Sequence, residues 1–445
     1  MKDQNEYRSG IITSENRNHV FHANGYTFTF MDSVANSRDM NTLIPSPDGF
    51  IYGKLHDGHD IGIYIGKQKE FPIYRNRRLI TGAYYVMQHQ SDNSDIAGLW
   101  GVEFCGGTLN ALLNRSQKSC DYAGDDKIVV DDPDITRTYT LNVGSEVWHL
   151  TIGAHSKWSS GVNGVHVNDA GVHLRIVFPC KKTEGEFFNI HTAIKELLSF
   201  LTFRKNVGFD EIYFLNATDE HGYNMRRAQV YIRNDETITS KDWFQCISFD
   251  DLGSCLPALV DLMLRNNEKD YMLGFLPQND TNVMRMSPMR LREVCSALEC
   301  ELSFVDGLQA TEEKNLSELI KQVKSLVKAH RSTSSRLHDK TYDVIFGSIN
   351  HWSLAAADQI YLLYRRYEDI LINITNASHD IGVDEINRLV KYRNSITHGR
   401  HRIIDEDIGV TAYILQGLVY CCILTRIGMD RETIKSLLVE RRTLF

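Results

Sequence analysis

The hydrophobic period of this 445-residue chain changes along its length, and that change limits what each part can become. Up to about Cys180, short runs of aromatic and β-branched residues alternate with polar ones, at 26–30, 50–52, 61–65, 84–86, 129–130, 139–141, 147–151 and 172–177. Gly, Asn, Asp and Ser interrupt them. A period of two is that of a strand with one buried face, so this region is expected to form a β-sandwich or barrel-like domain. Beyond Cys180 the spacing lengthens. Ile190, Ile194, Leu197, Leu198 and Leu201 predict a helix over 187–203, followed by strands over 211–215 and 227–232 and a helix over 256–266. The polar segment 277–281 is the expected boundary between a β-rich domain, 1–277, and a second domain, 278–445.

The second domain reads as helical throughout. Ser287 and Pro288 suit an N-cap and first helical position, opening a helix to about 304 with Leu291, Val294, Cys295, Leu298 and Leu302 on one side. Glu299 borders that stripe and is expected to face inward. A helix over 316–329 is expected to bury Leu319, Ile320, Val323, Leu326 and Val327 and to display Lys321, Lys324, Lys328 and Arg331 on its other side. Then come one long helix or a pair over 342–374, a helix leading to Arg393 and His398, an apolar helix over 407–427 and a final charged one. The expected class is α+β: a β-rich domain with a few helices, then an antiparallel helical bundle.

A formal net charge of −8 excludes nucleic-acid binding through bulk charge, so a polyanion would need a local basic patch. The nine cysteines show no zinc-ligand spacing, which suits a reducing, cytoplasmic setting. The first residues lack the apolar core of a secretory signal. The run 409–423, interrupted by Thr411 and Gln416, reads as a buried helix short of a membrane span, and no membrane partner is expected.

Several motifs carry less than they suggest. His56-Asp-Gly-His-Asp60 falls between two strands, where Asp-Gly marks a turn. Asp125-Asp126 and Asp131-Asp132-Pro-Asp134 read as solvated loops, leaving a metal-dependent hydrolase the weakest hypothesis. Gly106-Gly107 and the 161–171 region lack the Lys-Ser/Thr ending of a phosphate loop.

The stretch from Val383 to Arg400 is different. Ile386, Leu389, Val390 and Ile396 form an apolar stripe, while Arg388, Lys391, Arg393, His398, Arg400 and Arg402 crowd around its end. A guanidinium clamps phosphate oxygens and an imidazole carries protons near neutral pH, which together suit phosphodiester chemistry. Spacing by itself does not decide this: Arg17/His22 and Arg331/His338 have similar separations, in a strand-like region and a Ser/Thr-rich connector. The alternative is that His398 and Arg400 merely complement a helix dipole above a Gly399 cap. On a continuous helix, residues five apart point about 140° away from each other, so the helix must end or distort before His398 if the two side chains are to cooperate.

With Asn394 directly after the arginine, and Glu299 on an early bundle helix, Arg393-Asn394-Ser-Ile-Thr-His398-Gly399 resembles the Arg-x4-6-His hallmark of the HEPN domain, a helical-bundle family of ribonucleases and nucleotide-binding proteins. Ile51-Tyr-Gly-Lys-Leu55, Ile61-Gly-Ile-Tyr-Ile-Gly66 and Leu197-Leu-Ser-Phe-Leu-Thr-Phe203 resemble the N-terminal domain of the ApeA family of anti-phage proteins, which end in a HEPN domain. The resemblance implies a metal-independent endoribonuclease of abortive infection, with transfer RNA among its targets and no cofactor or metal. His398 would act as base or acid, Arg393 as phosphate clamp, Asn394 as second donor or histidine-orienting group, and Glu299 as support. Arg388, Lys391, Arg400 and Arg402, with Lys321, Lys324 and Lys328, would hold the RNA backbone. The implied partners are RNA, a second copy through the HEPN bundle, and a phage-encoded trigger sensed by the β-rich domain. A catalytically silent HEPN module that binds nucleotide or RNA is the alternative.

Overall fold

The structure is a computed structural model that describes residues 7–14, 17–31, 45–66, 78–80, 82–87, 99–113, 120–123, 127–130, 136–161, 164–218, 224–233, 245–265, 272–305, 311–333, 336–350, 356–374, 381–397, 403–440 and 444. It has the expected α+β layout and divides into two compact units, Met1–Arg265 and Asn266–Phe445.

Unit 1 is built on one antiparallel sheet. Its strands are β1 (Tyr7–Ser14), β2 (Arg17–Asn24), β3 (Thr27–Met31), β4 (Phe50–Leu55), β5 (Asp60–Tyr64), β6 (Arg78–Ile80), β7 (Ala83–Met87) and β8 (Leu99–Cys105). After a separate two-stranded pair, β9 (Cys120–Ala123) and β10 (Lys127–Val130), come β11 (Thr136–Val143), β12 (Glu146–Gly161), β13 (Gly164–Lys182), β14 (Glu211–Thr218) and β15 (Asn224–Ile232). Among the described residues the main sheet has thirteen strands in the order β11-β12-β13-β8-β14-β15-β7-β5-β4-β1-β2-β3-β6. Hydrogen bonding thus gives one continuous order rather than two separate sheets. A sheet of this size curls under its own twist. One end encloses a core of Ile12, Phe21, Phe28, Phe30, Ile51, Ile61, Ile63 and Tyr84.

Helix α1 (Glu186–Thr202) covers β8 and β14: Phe187 lies edge-on to Phe214, with ring centroids 5.1 Å apart, and His191 lies 6.3 Å from Phe104. Helix α2 (Leu256–Arg265) packs against α1 and β11. The C-cap of α1 is Phe203, with φ 56°, the only described non-glycine residue at positive φ. Left-handed backbone costs such a residue roughly 1–2 kcal/mol, and complete burial of the Phe203 ring offsets that cost.

Strand β8 is the fourth strand from one edge of the sheet, between β13 and β14, and carries Glu103 near its centre. Val102 and Phe104 face α1, so strand alternation turns Glu103 to the opposite face, where it is nonetheless fully buried. Its oxygens accept from Arg175 Nη2 at 2.9 Å and Arg226 Nε at 2.5 Å. Burial pushes this carboxyl up, and the two guanidiniums outweigh burial and hold it below the usual carboxylate range.

Unit 2 is helical: α3 (Pro288–Leu302), α4 (Thr311–Arg331), α5 (Asp339–Asn350), α6 (Ala356–Leu371), α7 (Val383–Thr397) and α8 (Glu406–Arg426), with a last turn at Arg431–Lys435. The expected 342–374 element is a pair, α5 and α6. Ser287 caps α3 through the Arg290 N–H at 3.2 Å, with Pro288 at the first helical position. Helices α3, α6 and α7 pack around α8, whose residues from Ile414 to Leu424 are all buried. At 21 residues α8 exceeds the apolar run read from sequence and is long and apolar enough to cross a membrane, yet 78% of its most apolar window is buried among its neighbours.

Three expectations need correcting. The division falls at Arg265/Asn266, ahead of the polar segment, because that segment is tied into unit 2: Arg290 donates to the carbonyls of Phe275 (3.0 Å), Asn282 (2.8 Å), Val283 (2.7 Å) and Arg285 (3.1 Å), and to Gln416 Oε1 on α8 (2.6 Å). Glu299 does not face inward; its side chain is 38% exposed, and Glu301, only 1% exposed, is the interior acid, bonded to Arg426 at 3.0 Å. Helix α4 does not bury its apolar stripe, since Leu319 and Leu326 are exposed and Ile320, Val323 and Val327 are half-buried. Among the described elements its main packing partner is α5.

Glu103 supplies a stability test. Glu103→Gln should cost about 3–5 kcal/mol by denaturant unfolding, because it leaves two guanidiniums around a neutral group. Because the folded pKa is depressed, the carboxylate's contribution is fully present above its unfolded value of about 4.3 and declines as pH falls through the lower folded value. The difference between wild type and variant should therefore shrink on acidification from pH 6; a constant difference would show that the charge is not what matters.

Candidate active site

Arg393 lies one turn before the end of α7. Asp384 and Glu385 occupy the first turn, where negative charge suits the helix dipole, and Glu385 Oε2 accepts from the Gly382 N–H at 3.0 Å. Ile386, Leu389 and Tyr392 are the buried residues of the helix. Arg393 follows Ile386 by seven positions and Leu389 by four, so it leaves the helix at the edge of the packed side. There it meets Glu299 of α3, one turn beyond the buried Cys295.

The contact is direct. Arg393 Nη2 donates to Glu299 Oε2, and Arg393 Nη1 donates to Asn394 Oδ1 at 3.0 Å. The two charged side chains are 24% and 38% exposed, so both are reachable from solvent. A guanidinium has five N–H donors, of which these contacts occupy two, and the Asn394 amide group keeps its own donors. The arrangement can therefore hold Arg393 in place while leaving N–H groups for an incoming anion. Thr397 closes the helix with its hydroxyl on the Arg393 carbonyl, 3.1 Å away. Burial pushes the Cys295 thiol up to about 12; Arg393 pulls it down and Glu299 pushes it up, which leaves a protonated thiol unsuited to nucleophilic attack.

His398, Arg400 and Arg402 lie outside the described residues. The structure thus brings Arg393, Asn394 and Glu299 together. Arg388 is engaged by two acids at the start of α8, Asp405 at 3.3 Å and Asp407 at 3.5 Å, so its charge is locally compensated. Lys391 is exposed. Lys321 and Lys328 are exposed and Lys324 half-buried on α4, which packs on α5 and forms a feature separate from the α3/α7 contact.

No group of three or more potential metal-binding side chains occurs among the described residues. His56–Asp60 turns β4 into β5, and His59 Nδ1 pairs with Asp57 Oδ1 at 2.9 Å. Asp125, Asp126, Asp131, Asp132 and Asp134 lie outside the described residues. Gly106 and Gly107, both at positive φ, turn the chain after β8, and the Gly107 N–H is taken by Asp210 Oδ2 at 2.7 Å.

Sequence reading missed Arg290, Glu301 and Arg426, which fix how α3 sits in the bundle. Glu299 and Glu301 flank the apolar stripe of α3 on opposite edges, so periodicity could not tell which was interior. The partners decide it: Arg426 closes over Glu301 with its guanidinium 4.2 Å from the Phe304 ring, whereas Glu299 meets an arginine at the surface.

A double-mutant cycle on Glu299→Ala and Arg393→Ala, read by denaturant unfolding, should give a coupling of about 0.2–1 kcal/mol, the scale of a partly exposed pair. A coupling above about 3 kcal/mol would mean a dry, structural ion pair unsuited to exchange with substrate. No family model, curated protein or solved structure matches the chain.

Proposed function

We propose that this protein is a metal-independent endoribonuclease of an abortive-infection anti-phage system, with Arg393, Asn394, His398 and Glu299 as its working group. The observation that carries the reading is the junction of α3 and α7. A partly exposed arginine, next to an amide and four residues before a Thr-His-Gly sequence, is positioned by a carboxylate from another helix. RNA brings its own nucleophile, the 2'-hydroxyl, so cleavage needs proton transfer and charge stabilisation rather than an activated water. Arg393 clamps the phosphate with its remaining N–H groups, Asn394 donates a second hydrogen bond, and His398 moves the proton. Among the described residues Glu299 bonds to the arginine, which makes it a positioning residue.

In-line displacement calls for a base on the attacking side and an acid on the departing side. One histidine per chain supplies one of these, and a two-fold pair supplies both. The working form is therefore a homodimer through unit 2, acting in the cytoplasm. Lys391, Arg400 and Arg402 are the backbone contacts nearest the motif, with the Lys321/Lys324/Lys328 face as a second basic surface; Arg388 contributes once RNA competes with Asp405 and Asp407. The family resemblance favours transfer RNA as substrate and makes unit 1 the element that senses a phage component.

His398→Ala and Arg393→Ala should each lower RNA cleavage about 100-fold or more with the fold intact and stability changed by no more than about 1 kcal/mol, since each removes a group with its own transition-state role. Loss of phage protection should follow in cells. Wild-type cleavage rates from the purified double variant would remove the assignment, and a wild-type protein that binds RNA tightly but never cuts it would favour the silent binding module.

A further inference from the structure

The α4–α5 hairpin of unit 2 has an unpartnered seam. Helix α4 carries apolar residues in a heptad pattern, with Leu316 and Val323 at one core position and Leu319 and Leu326 at the other, while Ile320 and Val327 widen the stripe. Leu316, Ile320, Val323 and Val327 are half-buried, but Leu319 is 48% and Leu326 73% exposed. Helix α5 thus covers one side of the stripe and leaves the Leu319/Leu326 side open. The hairpin is well defined in itself. His330 Nδ1 lies 2.7 Å from the Tyr342 hydroxyl, which also accepts from the Leu337 N–H at 3.0 Å, and Arg331 bonds Asp339 at 3.1 Å.

The charge pattern says what fits there. Next to the exposed leucines stand Asn315, Gln322 and Ala329, all uncharged, while Lys321, Lys324, Lys328 and Arg331 fall on the far edge of the stripe. The first ten residues of α4 carry net charge −2 and the last eleven carry +4, counting His330 as neutral. A parallel copy would set like charge on like. An antiparallel copy sets the acidic start against the basic end and brings each Leu319 opposite the other chain's Leu326, as a two-fold axis near Gln322 requires.

We propose that a second copy of this chain docks antiparallel on the Leu319/Leu326 face of α4, so that two hairpins close into a four-helix arrangement. This deepens the pairing proposed for the nuclease and rests on it, and it gives the pair an interface built from an element separate from the Arg393 group.

The test uses the full chain. Light scattering and sedimentation should show a wild-type dimer, and Leu319→Glu/Leu326→Glu should weaken self-association more than about 100-fold, since each two-fold contact loses four leucine side chains. Both positions are exposed, so circular dichroism and unfolding should stay at wild-type values. Cysteine cross-linking gives the direction: a tagged Asn315→Cys chain should couple to an Ala329→Cys chain and not to another Asn315→Cys chain, above the background of the native cysteines. A double variant that stays dimeric at wild-type affinity overturns the proposal, whether the leucines then prove to serve RNA or a different protein. A wild type that is monomeric at tens of micromolar overturns both the seam and the pairing. RNA cleavage separates the two readings: a dimeric, fully active double variant removes the seam and keeps the nuclease, whereas a seam-dependent dimer that never cleaves RNA keeps the seam and removes the nuclease.

Discussion

Unit 2 depends on a guanidinium carried almost entirely out of water. Arg290, 7% exposed, carries its charge into the bundle and is met by four backbone carbonyls and by Gln416 of α8. Burial lowers its affinity for a proton, and Tyr413 and Tyr420 nearby counter that effect. An arginine so held is a rivet: it fixes the segment from Phe275 to Arg285 to the start of α3 and fixes α3 to α8. The Glu301–Arg426 pair does the same at the other end of α3. These two anchors tie down both ends of α3 and so set the height and angle at which Glu299 stands on its surface. The meeting of Glu299 with Arg393 follows from interior polar bonds that touch neither residue.

The candidate site has almost no net positive charge of its own within the described residues. Glu299 compensates Arg393, and Asp405 and Asp407 compensate Arg388. On a protein of formal charge −8, such a site attracts a polyanion weakly at long range. For the proposed RNA substrate, binding would rely on short-range exchange, in which phosphate oxygens replace carboxylates around the same guanidiniums. This favours ligands that present several phosphates in the right geometry and discriminates against stray anions.

Much of the fold was legible because it depends on period alone. The runs at 50–52, 61–65, 84–86, 211–215 and 227–232 became strands because they are short and rich in aromatic and β-branched residues, and the stripe from Ile190 to Leu201 became α1 because its apolar residues recur at helical spacing. Strand β8 escaped notice because it is covered on both faces and carries Glu103 in its middle; the arginines that make that carboxylate tolerable come from β13 and β15, distant in sequence. The capping of α1 by Phe203 was equally hidden, since the expected residue at such a position is glycine. In unit 2 the Ser287-Pro288 start was plain, whereas the open face of α4 was not: an amphipathic pattern states that a face seeks cover, not what covers it. At the site, Arg393 and Asn394 could be singled out from the motif and Glu299 from its place on an early helix. Which of two nearby acids faces outward was settled only by Arg426.

The central claim is that RNA is cut by its own 2'-hydroxyl with protein side chains moving the protons. The most direct measurement is the chemistry of the ends that the full-length protein generates from RNA in the presence of a chelator. The account predicts 2',3'-cyclic phosphate on the upstream product and a 5'-hydroxyl on the downstream one, at undiminished rate. Products ending in 5'-phosphate, or cleavage that stops in chelator and returns with a divalent metal, would contradict it.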